Sequence, residues 1–363
     1  MEKKTLLLAG SHAGSTAIAV IEEIKRRNLD WEIHWVGKRY SNEGSNVETL
    51  EYKNLSKYGV IFHNLDSGKI QTKFTKYTLS ALLKIPFGFI QGYKLIKGIK
   101  PNLTLSFGSA TGAVTSFWSS FINVPVILHE QTATAGRANI ISSYFAKLIL
   151  ISRESSAYYF NKNKTKLVGN PTNRIVLARA LDQKRNARVK SILITGGSRG
   201  STWINDAIRP ILPHLLERYF IIHQTGDIDI EKFSNIKNPK YFAFGQTDPA
   251  NMAEVKAKAD IVISRAGANV VADLIALRKP TILIPIPWSY NDEQNENAKF
   301  MNNLGLARIL PQKELTPQRL LAEIGILIED YPTIIKKTES IISPDIDASE
   351  KIVDILEENI NKD

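Results

Sequence analysis

Short apolar segments that run into a glycine-bearing turn and then a helical stretch recur along this chain, and this rhythm constrains its fold most. Strands that are apolar throughout are typical of parallel sheets covered by helices on both faces. The predicted strands are Thr5–Ala9, Glu32–Val36, Leu103–Phe107, Val124–His129, Leu148–Ser152, Ser191–Thr195, Phe220–His223, Asp260–Ser264 and Thr281–Pro285. The sequence therefore predicts an α/β protein with two doubly wound, Rossmann-like sheets.

A chain of 363 residues is long enough to form two domains, each with its own core. We predict an N-terminal domain over residues 1–175, a polar and basic linker over 176–190, a C-terminal domain over 191–345 and a terminal helix over 346–363. Ligands of open parallel sheets bind beyond the carboxyl ends of the strands. The glycine loops that follow strands are therefore expected to face a central cleft between the domains.

The composition removes several classes of function. The chain has no cysteine, which excludes disulfides, thiolate metal sites and a catalytic thiol. Its first apolar segment is too short for a signal peptide, and no stretch reaches the ~18 apolar residues of a membrane-spanning helix. We therefore expect a protein that is neither secreted nor membrane-spanning.

A formal net charge of +11 would suit a nucleic-acid partner, but the distribution of the charge favours an anionic membrane surface. No acidic residue lies between Asp66 and Glu130. The lysines of that stretch stand among apolar residues and are Lys69, Lys73, Lys76, Lys84, Lys94, Lys97 and Lys100. We predict peripheral membrane contact through this segment together with Phe117, Trp118 and Phe121, and no nucleic-acid partner. The alternative is an ordinary helix whose lysines are solvated at its edges.

Two loops that follow strands in the second half have the form of phosphate sites. Thr195–Ser201 leads from a strand into a helix, where backbone N–H groups and the helix dipole suit a diphosphate. The loop is neither a Walker A motif nor a dinucleotide fingerprint, and a plain tight turn explains it equally well. Ser264–Asp273 repeats the pattern, and its last residue could accept both hydroxyls of a ribose.

Polar residues follow apolar strands at other places too. Gln294 and Asn295 carry neutral amides, which suit the hydroxyls of a sugar. In the first half, His129–Gln131 ends a buried strand, and Asn173 with Arg174 precedes the predicted linker. The histidines lack the spacing of metal ligands. The triplets Asp227–Asp229 and Asp345–Asp347 could hold a divalent ion against a diphosphate, but neither has further carboxylates close by, so we predict no metal site.

Taken in order, these motifs resemble the MurG family of N-acetylglucosaminyltransferases over nearly the whole chain. The matching segments are His129-Glu130-Gln131 with Ala135-Gly136 and Asn139, Gly169-Asn170-Pro171, Gly196-Gly197-Ser198, His223-Gln224-Thr225-Gly226, Ser264-Arg265-Ala266-Gly267-Ala268, and Gln294 with Asn297-Ala298. The resemblance implies the GT-B architecture and an inverting transfer from UDP-N-acetylglucosamine (UDP-GlcNAc) to a polyprenyl-diphosphate-linked muramoyl peptide, lipid I. It also implies a peripheral enzyme at the cytoplasmic face of the cell membrane, without a cofactor.

The resemblance assigns roles to particular residues. Ser198 and Arg174 (or Asn173) would contact the diphosphate, and Phe244 or Gly245 would lie beside the uracil. The substrate-binding positions that it implies are His12, Ala13, Gly14, Thr132, Asn173, Arg174, Ser198, Phe244, Gly245, Ala268, Asn269, Val270, Val271, Ala272, Asp273, Gln294 and Asn295.

The chain departs from the family pattern at several positions. The first glycine loop of the family reads G-G-T-G-G-H, whereas Gly10–Ser15 here reads G-S-H-A-G-S. Asp273 replaces the ribose-binding glutamate, and Arg278 replaces a glycine. Two alternatives therefore stay open, namely transfer to another lipid acceptor and a catalytically silent UDP-sugar-binding protein.

The catalytic base is expected in the first domain. Direct displacement at the anomeric carbon needs a base on the face opposite the departing UDP. Glu130 is favoured because it requires no loop rearrangement, and His12 is the second candidate because imidazole titrates in the useful range.

Overall fold

The computed structural model describes residues 3–11, 13–40, 48–68, 78–181, 185–197 and 199–361. In the helix that begins at Thr78, it describes side chains only from residue 83 onward. Contacts divide the chain into two compact units. Unit 1 comprises Met1–Pro171 and Asp347–Asp363, and unit 2 comprises Thr172–Ile346.

Unit 1 is built on a parallel sheet flanked by helices. Its strands are β1 (Lys4–Ala9), β2 (Trp31–Gly37), β3 (Ile61–Asn64), β4 (Leu103–Ser106), β5 (Val126–Glu130), β6 (Leu148–Ile151) and β7 (Thr165–Leu167). Its first helices are α1 (Gly14–Arg26), α2 (Leu50–Asn54), α3 (Thr78–Ile99), α4 (Ser109–Phe121) and α5 (Arg137–Ser143). In the described residues, the strand order is β3-β2-β1-β4-β5-β6-β7, which is that of a doubly wound fold.

Unit 2 repeats this architecture. Its strands are β8 (Ser191–Thr195), β9 (Phe220–Gln224), β10 (Tyr241–Phe244), β11 (Ile261–Ser264), β12 (Thr281–Leu283) and β13 (Ala307–Ile309), paired in the order β10-β9-β8-β11-β12-β13. Its helices are α6 (Arg174–Leu181), α7 (Thr202–Ile208), α8 (Leu212–Arg218), α9 (Ile230–Ser234), α10 (Pro249–Lys258), α11 (Ala268–Ala276), α12 (Glu293–Asn303) and α13 (Pro317–Lys337). The prediction of two Rossmann-like sheets is confirmed.

The last helix, α14 (Ala348–Ile360), belongs to unit 1 although it follows unit 2 in the chain. It packs against α1 and buries Ile352 and Leu356 in the core of that unit. Arg27 on α1 donates to Asp354 and Glu357 on α14, at 2.6 and 2.7 Å. The terminal helix predicted over residues 346–363 is therefore a part of the first domain that closes back onto it.

The segment predicted as a linker begins as a helix. Residues 174–181 form α6, and Val176 and Ala180 are buried against Ala253 of α10 and Ala276 of α11. The chain passes between the units at Pro171 and Thr172, a few residues before the predicted position of 175.

The four strands that the sequence pattern missed are the edges of the two sheets. They are β3, β7, β10 and β13. An edge strand is paired on one side and partly open to water, so its residues need not form a continuous apolar run. The central strands are buried on both faces, as the pattern of Leu6, Leu7 and Leu8 in β1 illustrates.

The strand register brings the carboxyl ends of neighbouring strands to one level. In unit 1, Ala9 of β1 pairs with Val36 of β2 and with Ser106 of β4. In unit 2, Thr195 of β8 pairs with Gln224 of β9 and with Ser264 of β11. The loops that follow these strands therefore meet at one edge within each sheet.

Candidate functional site

The glycine loop after β8 is held against the loop after β9. The Thr195 hydroxyl donates to Gln224 Oε1 at 2.6 Å and accepts the Gly197 N–H at 3.0 Å. Gly200 has a φ of 76° and lies against the Thr225 backbone so closely that a side chain would clash. Glycine is thus required here for close packing of two loops as well as for its backbone conformation. Ser198, the predicted diphosphate contact, lies outside the described residues.

Arg265 joins two of the loops in unit 2. Its guanidinium donates to the Ile284 carbonyl at 3.0 Å and to the Ser201 hydroxyl at 2.8 Å. Burial lowers the pKa of Arg265 to about 10, which still leaves it protonated near neutral pH. The sequence pattern predicts no separate role for this arginine, although the Ser264–Ala268 motif contains it.

Gln294, which was predicted to contact sugar hydroxyls, uses its carbonyl oxygen inside the protein. Gln294 Oε1 accepts the N–H groups of Ala266 and Ile286 at 3.3 and 3.1 Å. Asn297 donates to the Ala266 carbonyl at 3.1 Å. These contacts of α12 fix the loops after β11 and β12 relative to each other. Asn295, the second predicted amide, donates to Asp292 at 2.6 Å.

The start of α11 has the character of an anion site. Gly267 is its N-cap, no side chain caps it, and its first turn contains no acidic residue. The positive end of the helix dipole is therefore not neutralised by the helix itself. Ala268, Asn269 and Val270 are half-buried at this end.

Two residues of the predicted ligand-binding stretch are core residues instead. Val271 and Ala272 are each only 1% exposed. Their side chains face the interior of unit 2 because α11 turns one face towards the sheet. The prediction of ligand contact is corrected for these two side chains.

Asp273 lies one turn further along α11 and pairs with a lysine of α10. Lys256 Nζ donates to Asp273 Oδ2 at 2.5 Å, and both side chains are largely buried. Within the described part of the chain, Asp273 Oδ1 accepts no hydrogen bond. The ion pair thus holds the carboxylate in place and leaves one oxygen to accept a hydroxyl.

The other predicted positions of unit 2 lie on separate elements. Phe244 ends β10, and the following Gly245 packs against Asp227. Asn173 is buried and its Oδ1 accepts the Ile175 N–H at 2.8 Å, so it caps the start of α6. Arg174 is exposed as the first residue of that helix.

In unit 1, the carboxylate of Glu130 is saturated with hydrogen bonds from its own neighbourhood. Oε1 accepts the N–H and the hydroxyl of Thr132 at 3.0 and 2.8 Å. Oε2 accepts the Gly136 N–H at 3.0 Å and Asn139 Nδ2 at 2.7 Å. Glu130 is only 2% exposed. These four donors occupy the four lone-pair positions of the carboxylate.

This geometry argues against Glu130 as the catalytic base and gives it a positioning role. A base needs a free lone pair within reach of the acceptor hydroxyl, and all of the Glu130 positions are engaged. The carboxylate instead shapes the loop over residues 131–136. Thr132, predicted to bind substrate, turns its N–H and hydroxyl towards Glu130. His129 is also internal, with Nε2 at 3.0 Å from the Gly169 carbonyl.

The first glycine loop meets a carboxylate that the sequence reasoning missed. Glu51 of α2 is buried, and its Oε1 accepts the Ala13 N–H at 3.0 Å at the start of α1. Gly14 packs against the same side chain. A carboxylate therefore already occupies the positive end of α1, at the predicted substrate-binding positions Ala13 and Gly14. His12 lies outside the described residues.

Comparisons with known proteins define the class. The chain matches the glycosyltransferase family 28 N-terminal domain over residues 15–151 and the glycosyltransferase family 28 C-terminal domain over residues 191–352. The two matched segments fall in unit 1 and, apart from the start of α14, in unit 2. The chain is thus a glycosyltransferase of family 28.

Curated relatives define the family more narrowly. A UDP-N-acetylglucosamine-N-acetylmuramyl-(pentapeptide) pyrophosphoryl-undecaprenol N-acetylglucosamine transferase of Lachnoclostridium phytofermentans is 30% identical and aligns over 98% of this chain and 99% of its own. A relative of the same name from Clostridium botulinum is 30% identical over 90% of this chain and 92% of its own. The chain belongs to the MurG family, which is the family of these transferases.

Solved structures support the GT-B fold. MurG of Acinetobacter baumannii has a TM-score of 0.67 and 21% identity, over 98% of this chain and all of that one. The UDP-GlcNAc 2-epimerase of Neisseria meningitidis, solved with UDP-GlcNAc bound, has a TM-score of 0.69 and 16% identity over the same share of each chain. Because the fold is shared by a transferase and an epimerase, the fold alone does not select the reaction.

The positioning role of Glu130 predicts a stability effect. Glu130→Ala removes the carboxylate that accepts four hydrogen bonds. Buried donors such as Asn139 Nδ2 then lose this acceptor, so we expect the free energy of unfolding to fall by about 1–3 kcal/mol. Urea denaturation measures this loss. Glu154→Ala, at an exposed position of the same unit, is the matched control and should change stability by less than about 0.5 kcal/mol. Equal effects of the two substitutions would contradict the role.

Proposed function

We propose that this chain transfers N-acetylglucosamine from UDP-GlcNAc to lipid I, with inversion at the anomeric carbon. The observation that carries the proposal is the near full-length identity of 30% to transferases named for this reaction. The open helix end in unit 2 provides the physical means of holding the donor.

The donor diphosphate is proposed to bind at the start of α11. Uncapped N–H groups and the positive dipole end favour a diphosphate there. Gly196, Gly197 and Gly200 of the neighbouring loop contribute backbone at the same edge of the sheet. Arg265 keeps the loops assembled through its bonds to Ser201 and Ile284. A fixed set of donors stabilises the charge that develops on the leaving UDP.

The ribose is proposed to bind Asp273 through Oδ1. Aspartate is one methylene shorter than the family's glutamate, so its carboxylate must be held in a suitable position to reach the ribose. The ion pair with Lys256 immobilises Oδ2 and directs the remaining oxygen. A hydroxyl that donates to this carboxylate forms a charge-assisted hydrogen bond.

The acceptor hydroxyl is proposed to lose its proton to His12. Glu130 is committed to the 131–136 loop, whereas an imidazole can take up a proton near neutral pH. Attack by the oxygen on the anomeric carbon and departure of UDP from the opposite face produce the inverted product. The proton moves from the hydroxyl to the base as the new bond forms.

One observation favours a second candidate, which is transfer to another lipid-linked acceptor. Glu51 occupies the start of α1 and would repel an anionic group placed there. An acceptor diphosphate at this helix end would therefore be disfavoured in this conformation. Such an enzyme would keep the donor site and would differ in acceptor recognition.

A product assay with UDP-GlcNAc and lipid I tests the proposed reaction. We expect transfer by the wild-type chain and a turnover lower by about 10²- to 10⁴-fold in His12→Ala, because a general base contributes about that much. His214→Ala, at an exposed histidine of α8, is the control and should retain full turnover. Transfer only to a different lipid would select the second candidate, and donor binding without any transfer would indicate a silent UDP-sugar-binding protein.

The proposed ribose contact predicts a defect in donor binding. Asp273→Asn removes the charge from the acceptor of the ribose hydroxyl, so we expect KM for UDP-GlcNAc to rise about 10- to 100-fold with a smaller change in kcat. Lys256→Met should shift KM in the same direction, because the carboxylate is no longer held. The control is Asp206→Asn, at an exposed position of α7. An unchanged KM in Asp273→Asn would move the ribose contact elsewhere.

We also propose that unit 1 binds an anionic membrane surface peripherally, on the cytoplasmic face. Leu83, Phe87 and Ile90 are exposed on α3 at i, i+4 and i+7, which places them on one face. The helical period carries Lys94 and Lys97 onto that face, and both are exposed. An apolar face followed by lysines suits a surface that combines acyl chains with anionic headgroups.

The neighbouring helices extend this apolar surface. An aromatic cluster joins α3 to α4 through Phe89 and Phe117, whose ring centroids are 5.6 Å apart. Phe117 and Trp118 are half-buried within it, whereas Phe121 is 68% exposed. Tyr144, just after α5, is 80% exposed. The surface defined by Leu83, Phe87, Ile90, Phe121 and Tyr144 is the proposed contact.

One of the lysines that were predicted to contact the membrane is paired with an acidic residue. Lys84 pairs with Asp66 at 2.9 Å, so its charge is offset. Lys69, Lys73 and Lys76 lie outside the described residues. Along the described ranges, no helix is both long and apolar enough to cross a membrane.

The membrane contact predicts two separable losses of vesicle binding. The triple variant Phe87→Ser, Ile90→Ser, Phe121→Ser should weaken binding to all vesicles. The double variant Lys94→Gln, Lys97→Gln should weaken only the electrostatic part of binding. That part is screened by salt, because the Debye length falls from ~10 Å at 0.1 M to ~3 Å at 1 M. Co-sedimentation with anionic and neutral liposomes measures both. The control is Ile342→Ser, an exposed apolar position of unit 2. Equal binding to anionic and neutral vesicles would reject the electrostatic part.

A further inference from the structure

Unit 2 contains a small basic pocket at the edge of its sheet opposite the glycine loops. The pocket has a volume of about 130 Å³, and its lining includes Arg185, Arg278, Lys279, Asp260 and Tyr331. Asp260 stands just before β11, and Lys279 stands two residues before β12. The pocket therefore lies at the amino ends of these strands, whereas the proposed donor site lies at their carboxyl ends.

Both arginines are held in place by backbone carbonyls. Arg185 Nη1 donates to the Ile335 carbonyl at 3.0 Å. Arg278 donates through Nη1 to the Glu339 carbonyl at 2.8 Å and through Nη2 to the Ala180 carbonyl at 3.1 Å. These bonds fix the two guanidinium groups without neutralising their charge.

Each arginine keeps a buried donor that no protein acceptor satisfies. Arg185 Nη2 and Arg278 Nε are buried and, among the residues that the structure describes, have no hydrogen-bond partner. Across the described ranges, neither guanidinium forms a salt bridge with a carboxylate. A buried charged N–H group without an acceptor is unfavourable, so this arrangement favours a bound acceptor of negative charge.

The remaining charges of the pocket do not compensate the arginines. Lys279 is buried, and its Nζ donates to the carbonyls of Ala257 and Ala259 at 2.7 and 2.5 Å. Asp260 accepts Asn186 Nδ2 at 2.8 Å and the N–H groups of Lys190 and Ser191 at 2.8 and 2.9 Å. The pocket lining thus contains four cationic side chains, Arg185, Lys258, Arg278 and Lys279, and one carboxylate, Asp260, whose oxygens already accept hydrogen bonds.

The pKa values of Arg185 and Lys279 are lowered mainly by burial. Burial, and then the neighbouring charge of Arg278, lower the pKa of Arg185. Burial lowers the pKa of Lys279 to about 8; the charge of Asp260 opposes this shift, and the smaller effect of Arg185 adds to it. A bound anion would favour the charged form of each group.

Arg278 stands in a backbone conformation that suits glycine. Its φ is 49°, in the left-handed region. A non-glycine residue is strained in this conformation, and here that residue adds a guanidinium to the pocket. A ligand for that guanidinium gives the strained arginine a function.

We propose that this pocket binds a tetrahedral oxyanion, such as a phosphate or sulfate group, through Arg185, Arg278 and Lys279. The planar guanidinium groups supply fixed pairs of N–H donors that match the oxygens of such a group. The oxyanion is either a soluble ion or the phosphate of a lipid headgroup. The site is separate from the donor site and does not depend on the proposed reaction.

Calorimetric titration with sodium sulfate tests the site. Sulfate stays a dianion throughout the useful pH range, and chloride at matched ionic strength corrects for screening. UDP at high concentration is kept in the cell so that any nucleotide site is occupied. We expect wild-type protein to bind sulfate and Arg278→Gly to bind it at least about tenfold more weakly, since a charge-assisted bond is lost. Arg278→Gly relieves the backbone strain and is therefore expected to fold.

The control variant is Arg218→Ala, which removes the same charge at the exposed end of α8. Arg185→Gln is the second test variant, and it should weaken sulfate binding as Arg278→Gly does. At pH 8, sulfate binding to the wild type should take up protons on Lys279, so its heat should depend on the ionisation enthalpy of the buffer. Equal sulfate affinity in wild type, Arg278→Gly and Arg218→Ala would overturn a soluble-ion site.

Vesicle binding distinguishes the two sources of the oxyanion. Flotation with phosphatidylglycerol vesicles should be weakened by Arg278→Gly and unchanged by Arg218→Ala if the ligand is a headgroup phosphate. Sulfate binding that depends on Arg278, without an effect on flotation, supports a soluble ion. If Arg278→Gly changes neither sulfate binding nor flotation relative to Arg218→Ala, the proposal is wrong. Loss of transferase activity alone would bear on the proposed reaction and not on this site.

Discussion

The common level of the strand ends is the constraint on which the loops of each unit depend. Parallel strands place all their carboxyl ends at one edge, so several loops converge there with many backbone groups to satisfy. In unit 2, the pairing of Thr195 with Gln224 and Ser264 sets this level. Each loop can then use a neighbouring loop as its hydrogen-bond partner. Close convergence also requires glycine, as the packing of Gly200 on Thr225 shows.

Several polar residues at these edges hold loops together. Glu130 gathers four donors from the segment after β5, and Arg265 and Gln294 join the loops after β8, β11 and β12. A loop that binds a ligand must keep its shape in the absence of that ligand, and buried side chains with several bonds provide this. A polar residue that follows a strand can therefore either hold a binding loop in place or contact the ligand itself.

The sequence was informative about the central strands and about the order of the loops, because both are encoded locally. Apolar runs such as Ile192–Ile194 identify buried strands directly. The edge strands, such as β7 and β13, lack this pattern because half of their surroundings is water. Glu51 was missed for a different reason. Its partner Ala13 is 38 positions away in the sequence, and no local pattern predicts that a particular acid will reach the start of a particular helix.

The predicted roles of Glu130 and Gln294 rested on residue type and position in the sequence. Neither property shows how many hydrogen bonds a side chain already makes within the protein. For Glu130, the number of these hydrogen bonds is known only once the donors of Thr132, Gly136 and Asn139 are located in space. The position of Asp273 was predicted correctly on α11, but its partner Lys256 comes from another helix. Long-range partners therefore decide whether a correctly located polar residue is available to a ligand.

Two helix ends, one in each unit, differ in their electrostatics. At the start of α1, Glu51 accepts a backbone N–H and brings a negative charge. The start of α11 has no side-chain cap and no acid in its first turn. A diphosphate gains from the second end and is repelled at the first, since the dipole effect is confined to the terminal turn and a carboxylate there offsets it. Of these two helix ends, the start of α11 is therefore the better one for a nucleotide diphosphate. It also requires that an anionic acceptor be recognised in unit 1 by groups other than the start of α1, unless Glu51 moves away from it.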